Sequence, residues 1–245
     1  MVFDTIVFDC DSTLSRIEGV DELARLNGCL DKTEELTTQA MEGEIEFEDV
    51  FSKRLDIIDP KPEQLETVGR MYIDSAVKDV KDVITAFKAV GKRVVIISGG
   101  YTVPVRMFGE YLGLGSDDVF AVDLRFDEAG KYQGFDPEFP LVRNHGKPEL
   151  IKTIPGKKLF VGDGITDLEA KDEVGLFVGY GGVNVRQAVK DRASMFIECE
   201  SLAPLLPIAL TQDEQQTLKE SHGALLDKGL ALCETDVKGW KPSES

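Results

Sequence analysis

The sequence has few of the residues that build zinc sites and disulfide frameworks. Its 245 residues include four cysteines, none in Cys-x-x-Cys spacing, and only two histidines. A structural zinc site is therefore not expected, because such sites need closely spaced cysteine and histidine ligands. Scattered cysteines are typical of reduced thiols, so we expect a cytoplasmic protein.

Basic residues and long apolar segments are also scarce. Against 45 Asp and Glu stand 28 Lys and Arg, which gives a formal net charge of -17. A surface this acidic repels nucleic acids and anionic lipids, so neither is an expected partner. The start MVFDTIVFD lacks the basic residues of a signal peptide, and no apolar run has the length of a membrane span. A transit peptide already removed from this start is an open alternative.

Short, β-rich apolar runs alternate with helical patterns over most of the chain. Such runs occur at residues 3–8 and in the segments KRVVIISGG, KKLFVGDG, GLFVGYGG and SMFIECE. Between them, segments such as VKDVITAFKAVG place apolar residues on one helical face. This alternation predicts an α/β fold with a parallel sheet and helices on both faces. In such sheets, the loops at the carboxyl ends of the strands form the ligand site.

Three segments interrupt the alternation. Residues 14–75 show helical spacing without a strand pattern, which predicts a helical insert that covers the site as a lid. Residues 119–139 predict a flap of two strands joined by the turn EAGK. From residue 211 the sequence is polar, and we expect one helix over 215–226 and a loosely held end, KGWKPSES. The predicted domains are a core of 1–13 and 76–210, a cap of 14–75 and a tail of 211–245.

Two aspartates one residue apart, Asp9 and Asp11, follow the first predicted strand in FDCDSTL. Like charges this close raise each other's pKa unless a cation lies between them. Taken alone, the pair also fits a helix cap or an ordinary pair of surface carboxylates. Asp163 in GDGITD follows another predicted strand, where it fits either a metal ligand or an ordinary acidic turn. Together, Asp9, the side chain or backbone of Asp11, and Asp163 predict a hard-oxygen site suited to Mg²⁺.

Two further segments suggest a phosphate site. Ser98, Gly99 and Gly100 lie between a predicted strand and a predicted helix, where backbone N–H groups and a hydroxyl can bind phosphate. The same residues also form a common turn. Lys147 in NHGKPELI is either a solvated lysine or the cation that neutralises the phosphate. With these groups in place, one aspartate can attack phosphorus, and Asp11 can act first as general acid and then as base.

The segments FDCDSTL, SGG, GKPEL and GDGITD, in this order, resemble the four motifs of the haloacid dehalogenase superfamily of phosphohydrolases. Up to about residue 210, the chain is also similar to the phosphoserine phosphatase family, in DSTLSRIEGVDELARLNG, AMEGEIEF, FSKRL, SGGY, GFDPEF and GYGGVNVRQAVKD. The resemblance implies a Rossmann-like core with a helical cap after strand 1. It also implies Mg²⁺-dependent hydrolysis of O-phosphoserine to serine and phosphate, the final step of serine biosynthesis.

The resemblance further implies a role for each residue that matches the family pattern. Asp9 is the nucleophile, and Asp11 is the general acid and base. The metal ligands are Asp9, the carbonyl of Asp11 and Asp163, with support from Asp167. The groups that bind the phosphoryl moiety are those of Ser98, Gly99 and Lys147.

In the cap, the resemblance implies that Glu18 meets the substrate ammonium and that Arg54 meets its carboxylate. The pairing is chemically reasonable, because a guanidinium can grip a carboxylate with two parallel hydrogen bonds. Taken without the resemblance, Arg54 fits a solvent-facing position on an amphipathic helix. Met41 and Phe47 match positions that wall the substrate pocket, although apolar residues at helical spacing also build ordinary cores.

Two positions near the motifs need separate assignment. Thr166 stands where some relatives carry asparagine, which is a tolerable polar change beside the metal. His145 lies two residues before Lys147 and could serve as a base, but Asp11 already supplies that function. We therefore assign His145 to a loop.

Two alternatives remain open at this point. The same chemistry fits another small phosphomonoester, such as phosphothreonine, phosphohomoserine or a phosphocholine-like ester, or phosphoryl transfer to another alcohol. A phospho-acceptor signalling domain also uses a strand-end aspartate, Mg²⁺, a hydroxyl and a lysine, but it needs neither Asp11 nor a helical lid. We expect a monomer or homodimer whose partner is a small phosphorylated metabolite.

Overall fold

The computed structural model describes residues 2–41 and 47–241, and the side chains of these residues other than 37–41 and 47–48. The strands are β1 Thr5–Phe8, β2 Arg93–Tyr101, β3 Val119–Val122, β4 Leu124–Phe126, β5 Tyr132–Phe135, β6 Lys158–Gly162, β7 Leu176–Tyr180, β8 Met195–Ile197 and β9 Val237–Lys238. The α-helices are α1 Gly19–Leu26, α2 Leu30–Met41, α3 Phe47–Ile58, α4 Pro62–Asp74, α5 Val80–Ala89, α6 Thr102–Tyr111, α7 Gly146–Thr153, α8 Ile165–Leu168, α9 Gln187–Arg192, α10 Leu205–Ala209 and α11 Gln212–Asp236.

Strand β1 lies inside the main sheet, whose order is β3-β2-β1-β6-β7-β8-β9. All neighbouring strands in this sheet run parallel except β9, which is antiparallel to β8. Phe8, the last residue of β1, is in register with Ile96 of β2 and Val161 of β6. The loops that follow these three strands therefore meet at one edge of the sheet. The predicted α/β fold with a parallel sheet is confirmed.

The sheet is covered by apolar side chains on both faces. Ile6 and Phe8 belong to a cluster that includes residues of α5, α6, α10 and α11. Val7, between them, packs in a second cluster with Ile151 of α7 and Val189 of α9. Because successive side chains of a strand point to opposite faces, an uninterrupted apolar strand such as β1 can be buried on both sides.

The insert after β1 contains α1 to α4, and the described part of residues 14–75 contains no strand. An isolated bridge between Ser15 and Ala76 closes the base of this insert. Its last helix, α4, packs against α6 of the core, where a Cβ on Gly69 would lie only 2.6 Å from Sδ of Met107. The predicted helical insert is confirmed, and its last helix is tightly packed on the core.

The prediction of a flap over residues 119–139 is wrong for its first strand. Val119–Val122 forms β3, which pairs parallel with β2 at the edge of the main sheet. The hairpin consists of β4 and β5, joined through the EAGK turn with Gly130 at a φ of 77°. The run VFAV is mostly buried, as expected for a strand of the main sheet. Only Asp123 separates it from β4, so the two strands look like one in the sequence.

The C-terminal segment also differs from expectation. Helix α11 has 25 residues instead of the predicted 215–226, with a kink at His222, and β9 then pairs with β8. Leu218, Leu226 and Cys233 of α11 are buried, and the helix contacts α5 and α10. Of the end KGWKPSES that is expected to be loosely held, Lys238 belongs to β9, and residues 242–245 lie outside the described residues, so for them the expectation stays a prediction. Despite its length, α11 is not apolar enough to cross a membrane, and neither is any other helix that the structure describes.

Candidate active site

A cavity of about 200 Å³ lies where β1, β2 and β6 end, between the core and helices α1 and α3 of the insert. Its lining carries six carboxyl groups, those of Asp9, Asp11, Glu18, Asp163, Asp167 and Glu169. It carries four cationic side chains, those of Arg54, Arg143, Lys147 and Arg186. Fully ionised, the lining has two negative charges in excess, which a divalent cation would balance.

Lys147 bridges two aspartates in the cavity. Its Nζ donates hydrogen bonds to Oδ1 of Asp9 at 2.6 Å and to Oδ1 of Asp167 at 2.5 Å. Asp9 continues the pairing of β1 with β6, because its N–H donates to the carbonyl of Val161 at 2.9 Å. Burial alone would lower the pKa of Lys147, but the carboxylates of Asp167 and Asp9 outweigh it and raise that pKa. The lysine therefore stays charged at neutral pH.

Asp9, Asp163 and Asp167 form a cluster suited to a metal ion. Each is buried and offers a carboxylate oxygen, and these oxygens lie within 4.8 Å of one another. Burial, followed by the charge of Asp167, raises the pKa of Asp163 to about 6 and that of Asp9 well above its ordinary value. Gly162 leaves room for this arrangement, since a Cβ there would lie 2.4 Å from the Asp167 carboxylate. Such a set of crowded oxygen donors fits a hard divalent cation.

Asp11 lines the cavity and is held by three donors. Its Oδ1 accepts hydrogen bonds from the N–H of Gly19 and from the hydroxyl of Tyr72, both at 2.6 Å. Its Oδ2 accepts one from the hydroxyl of Ser98 at 3.2 Å. Burial raises the pKa of Asp11 and also that of Tyr72, so Tyr72 remains a hydroxyl donor. The sequence indicated Asp11 and Ser98 but gave no sign of Tyr72.

Glu18 lies beside the acidic cluster and is paired with an arginine. Its Oε1 accepts a hydrogen bond from the hydroxyl of Ser12 at 2.7 Å and lies 3.5 Å from Nη2 of Arg186. The Nε of Arg186 also donates to Oδ2 of Asp163 at 2.8 Å. Burial, and then the charge of Asp11, raises the pKa of Glu18 to about 7. Sequence reasoning missed Arg186, although it lies in GYGGVNVRQAVKD, one of the segments similar to the family.

Arg54 of α3 lines the same cavity from the side of the insert. Its Nε is buried and has no hydrogen-bond partner among the described residues. Buried polar groups are nearly always hydrogen-bonded, and an unmade bond of a charged donor costs free energy. An anionic group bound in the cavity would satisfy this donor.

Most of the predicted site residues converge here. Those that line the cavity are Asp9, Asp11, Glu18, Arg54, Gly99, Lys147, Asp163 and Asp167. Ser98 is fully buried and reaches the site through Asp11. Thr166 lines the cavity, whereas His145 does not, and the His145 side chain is 77% exposed. The side chains of Met41 and Phe47 lie outside the described part of the chain, so their place in the pocket wall stays a prediction.

The chain is similar in sequence and in structure to known phosphohydrolases. Residues 3–175 match a family model described as haloacid dehalogenase-like hydrolase. Phosphoserine phosphatase of Bos taurus is 36% identical over 199 residues, which cover 79% of this chain and 88% of the bovine protein. Two solved structures are each 27% identical, and each match covers 86% of this chain and 100% of the other. They are a phospho-aspartyl intermediate analogue of phosphoserine phosphatase, with a TM-score of 0.71, and a substrate-bound phosphoserine phosphatase complex, with a TM-score of 0.70. The chain therefore belongs to the haloacid dehalogenase-like hydrolases and, within them, to the phosphoserine phosphatase family.

Proposed function

We propose that the protein is a Mg²⁺-dependent phosphatase that hydrolyses O-phosphoserine to serine and phosphate, the final step of serine biosynthesis. The observation that carries this proposal is that the Lys147–Asp9 pair and Arg54, whose buried Nε has no hydrogen-bond partner in the described part of the chain, line one small cavity. The Lys147–Asp9 pair suits a phosphoryl group and Arg54 suits a carboxylate, and phosphoserine carries both groups. The phosphoserine phosphatases described above, which this chain resembles, give further support.

We assign the metal site to Asp9, the carbonyl of Asp11 and Asp163, with Asp167 in support. Three carboxylates and a carbonyl are the hard oxygen ligands that Mg²⁺ prefers, and Mg²⁺ usually keeps several waters and a substrate phosphate. When bound, Mg²⁺ would neutralise negative charge on the phosphoryl oxygens and the attacking carboxylate. Without a cation, the excess of negative charge in the lining would repel a phosphate dianion.

In the proposed reaction, a carboxylate oxygen of Asp9 attacks phosphorus in line with the leaving serine oxygen and forms an aspartyl phosphate. Lys147 orients Asp9 and offsets the electrostatic repulsion between the carboxylates of Asp9 and Asp167. Together with Ser98 and Gly99, Lys147 would also hold the phosphoryl group. A buried ammonium in this place stabilises charge that develops during the transfer.

Asp11 would give a proton to the leaving serine oxygen and later remove one from the water that hydrolyses the aspartyl phosphate. The first task requires that the carboxyl group be protonated when substrate binds. Burial raises the pKa of Asp11, which favours the protonated form.

The insert would bind the amino-acid part of the substrate. Arg54 would bind the carboxylate, and Glu18 would bind the ammonium. On this basis we propose that residues 14–75 act as a cap domain over a core of 1–13 and 76–210, with residues 211–245 as a C-terminal extension. All four cysteines are free thiols, which fits a cytoplasmic location.

Phosphate release tests the proposal. It is measured with and without Mg²⁺ from phosphoserine, phosphothreonine, phosphocholine, 3-phosphoglycerate and an aryl phosphate, and compared as kcat/KM. We expect phosphoserine to lead by about a hundredfold, roughly 2.7 kcal/mol of transition-state discrimination. A flat profile would leave a phosphatase without this substrate assignment. No Mg²⁺-dependent release from any ester would overturn the whole proposal.

A further inference from the structure

We propose that Tyr72 is a positioning residue for Asp11 and that it makes Oδ2 of Asp11 the oxygen that carries the transferred proton. The inference rests on the proposed function, in which Asp11 is the general acid. It assigns proton transfer to Oδ2 of Asp11 and the fixed hydrogen bonds to Oδ1. Tyr72 is fully buried and does not line the cavity. Its contribution would therefore reach the substrate only through Asp11.

The first step concerns Oδ1 of Asp11, whose acceptor capacity is fully used. A carboxylate oxygen has two lone pairs in the plane of the group. Oδ1 accepts from the hydroxyl of Tyr72 and from the N–H of Gly19, each at 2.6 Å. Bonds this short are typical of strong hydrogen bonds to a carboxylate. A proton on Oδ1 would have to displace one of these donors, so protonation at Oδ2 is favoured.

The second step concerns Oδ2, which faces the phosphate-binding loop. Its one described hydrogen bond is the longer contact of 3.2 Å from the hydroxyl of Ser98. A Cβ on Gly100 would lie 3.1 Å from Oδ2, so this oxygen lies beside the glycines of the SGG loop. Both Gly99 and Gly100 line the cavity. The oxygen that is left free to exchange a proton is therefore the one beside the substrate site.

The third step concerns the rigidity of the Tyr72 hydroxyl. The ring of Tyr72 stacks on Phe108 of α6, with centroids 5.9 Å apart and an angle of 22° between the planes. A Cβ on Gly19 would lie 2.1 Å from the Tyr72 hydroxyl, so glycine at this position leaves the space that the hydroxyl occupies. The donor is thus fixed by a core helix on one side and by the start of α1 on the other.

The chemical step assigned to Oδ2 is balanced. As the bond between Asp9 and phosphorus forms, the bond between phosphorus and the serine oxygen breaks, and the serine oxygen takes the proton from Oδ2 of Asp11. In the second half, Oδ2 takes a proton from water while the water oxygen bonds to phosphorus and the phosphorus–Asp9 bond breaks. Tyr72 and Gly19 keep their hydrogen bonds to Oδ1 in both halves.

The test exploits the need of the leaving group for a proton. The alkoxide of serine is a poor leaving group that needs a proton from a general acid, whereas nitrophenolate is a good leaving group that does not. The variants are Tyr72→Phe and, as a matched control, Tyr180→Phe. Tyr180 is also fully buried, and its hydroxyl donates to the carbonyl of Glu200 at 2.8 Å. Each variant is assayed as kcat/KM, which covers steps up to the first irreversible one, on phosphoserine and on p-nitrophenyl phosphate, with Tm as a check on folding.

For Tyr72→Phe we expect kcat/KM to fall by about tenfold on phosphoserine and by less than about twofold on p-nitrophenyl phosphate, because general acid catalysis contributes on the order of 10² to 10⁴ in rate. Tyr180→Phe should change both substrates equally. An equal loss on both substrates in Tyr72→Phe would assign Tyr72 a purely structural role, and no loss on either would remove its role altogether. Failure of the proposed function can be distinguished from failure of this inference, since in the former case the wild-type enzyme would be inactive on phosphoserine.

Discussion

The Nζ atom of Lys147 lies 2.6 Å from Oδ1 of Asp9, although 138 residues separate the two in the sequence. Both side chains are nearly inaccessible to solvent, with 8% and 9% of their surface exposed. A buried ion pair of this kind is costly unless its geometry is good and further hydrogen bonds satisfy both groups. Here Asp167 supplies a second carboxylate to the same ammonium. The pair is therefore best explained as part of the phosphoryl-transfer site.

Replacing this lysine should damage catalysis directly. We expect Lys147→Ala to lower kcat on phosphoserine by at least about a hundredfold, because it removes a buried charge that stabilises the transferring phosphoryl group. Lys152→Ala is the matched control, since Lys152 lies on the same helix but is 60% exposed and pairs with Glu173. Its activity should stay within about twofold of wild type. A Lys147→Ala enzyme with comparable activity would refute this role.

Arg54 should determine how the substrate carboxylate is recognised. We expect Arg54→Ala to lower kcat/KM on phosphoserine by about a hundredfold, as is typical when one partner of a buried charged contact is removed. The loss on an aryl phosphate, which has no carboxylate, should be less than about threefold. Its neighbour Lys53 is 47% exposed and pairs with Asp49, so Lys53→Ala serves as the control. Equal losses of kcat/KM on both substrates would mean that Arg54 does not bind the substrate carboxylate.

The C-terminal helix should make stability depend on pH. Asp79, just before α5, accepts hydrogen bonds from Lys228 of α11 and from Ser201. Burial alone would raise the pKa of Asp79, but these bonds outweigh it and lower the pKa below its ordinary value of 3.8. A carboxyl group whose pKa is lowered in the folded state stabilises the protein at pH values above the pKa that the group has in the unfolded state. That contribution is lost as pH falls through the folded-state pKa.

The corresponding experiment compares urea unfolding of wild type and Lys228→Met. Because the pair is partly exposed, we expect a loss of about 0.5 to 1 kcal/mol near pH 7, and a smaller loss near pH 3, below the ordinary pKa of 3.8. Lys219→Met, at an exposed position of the same helix, controls for the loss of a charge. A Lys228→Met penalty that is the same at both pH values would contradict the assignment to Asp79.

Helix α11 should also stabilise the core through its apolar residues. Leu226 is fully buried in the main cluster, so Leu226→Ala should lower the free energy of unfolding by about 2 to 5 kcal/mol. Since Leu226 does not line the cavity, the preference for phosphoserine over an aryl phosphate should be unchanged at a temperature where the variant is folded. Unfolding that matches wild type would show that α11 does not pack as described.

The sequence predicted the parts of this protein that depend on local patterns. Asp9 and Asp163 each end an apolar strand, and parallel strands bring their carboxyl ends together, so their meeting at one edge could be foreseen. Tyr72 could not, because its contact with Asp11 depends on how α4 packs against α6. In the sequence, Tyr72 is one more apolar residue on an amphipathic helix.

Two errors in the predicted fold have similar physical causes. The sequence underestimates the length of α11, because the buried residues of this helix are widely spaced, include Gly229 and therefore show little of an apolar stripe. Gly229 is required by packing, since a Cβ there would lie 2.4 Å from the carbonyl of Ala203. The sequence also places β3 in the flap, because Asp123 alone separates β3 from β4 and only the pairing of β3 with β2 distinguishes the two strands.

The central claim is that Asp9 is phosphorylated during turnover of phosphoserine, and trapping the phosphoenzyme tests it most directly. Enzyme turning over ³²P-labelled phosphoserine with Mg²⁺ is quenched in acid, digested, and the labelled peptide is identified. We predict a label on the peptide that contains Asp9, released by hydroxylamine as expected for an acyl phosphate, and neither label nor turnover in Asp9→Asn. Near-normal turnover by Asp9→Asn, or a label on another residue, would contradict the account.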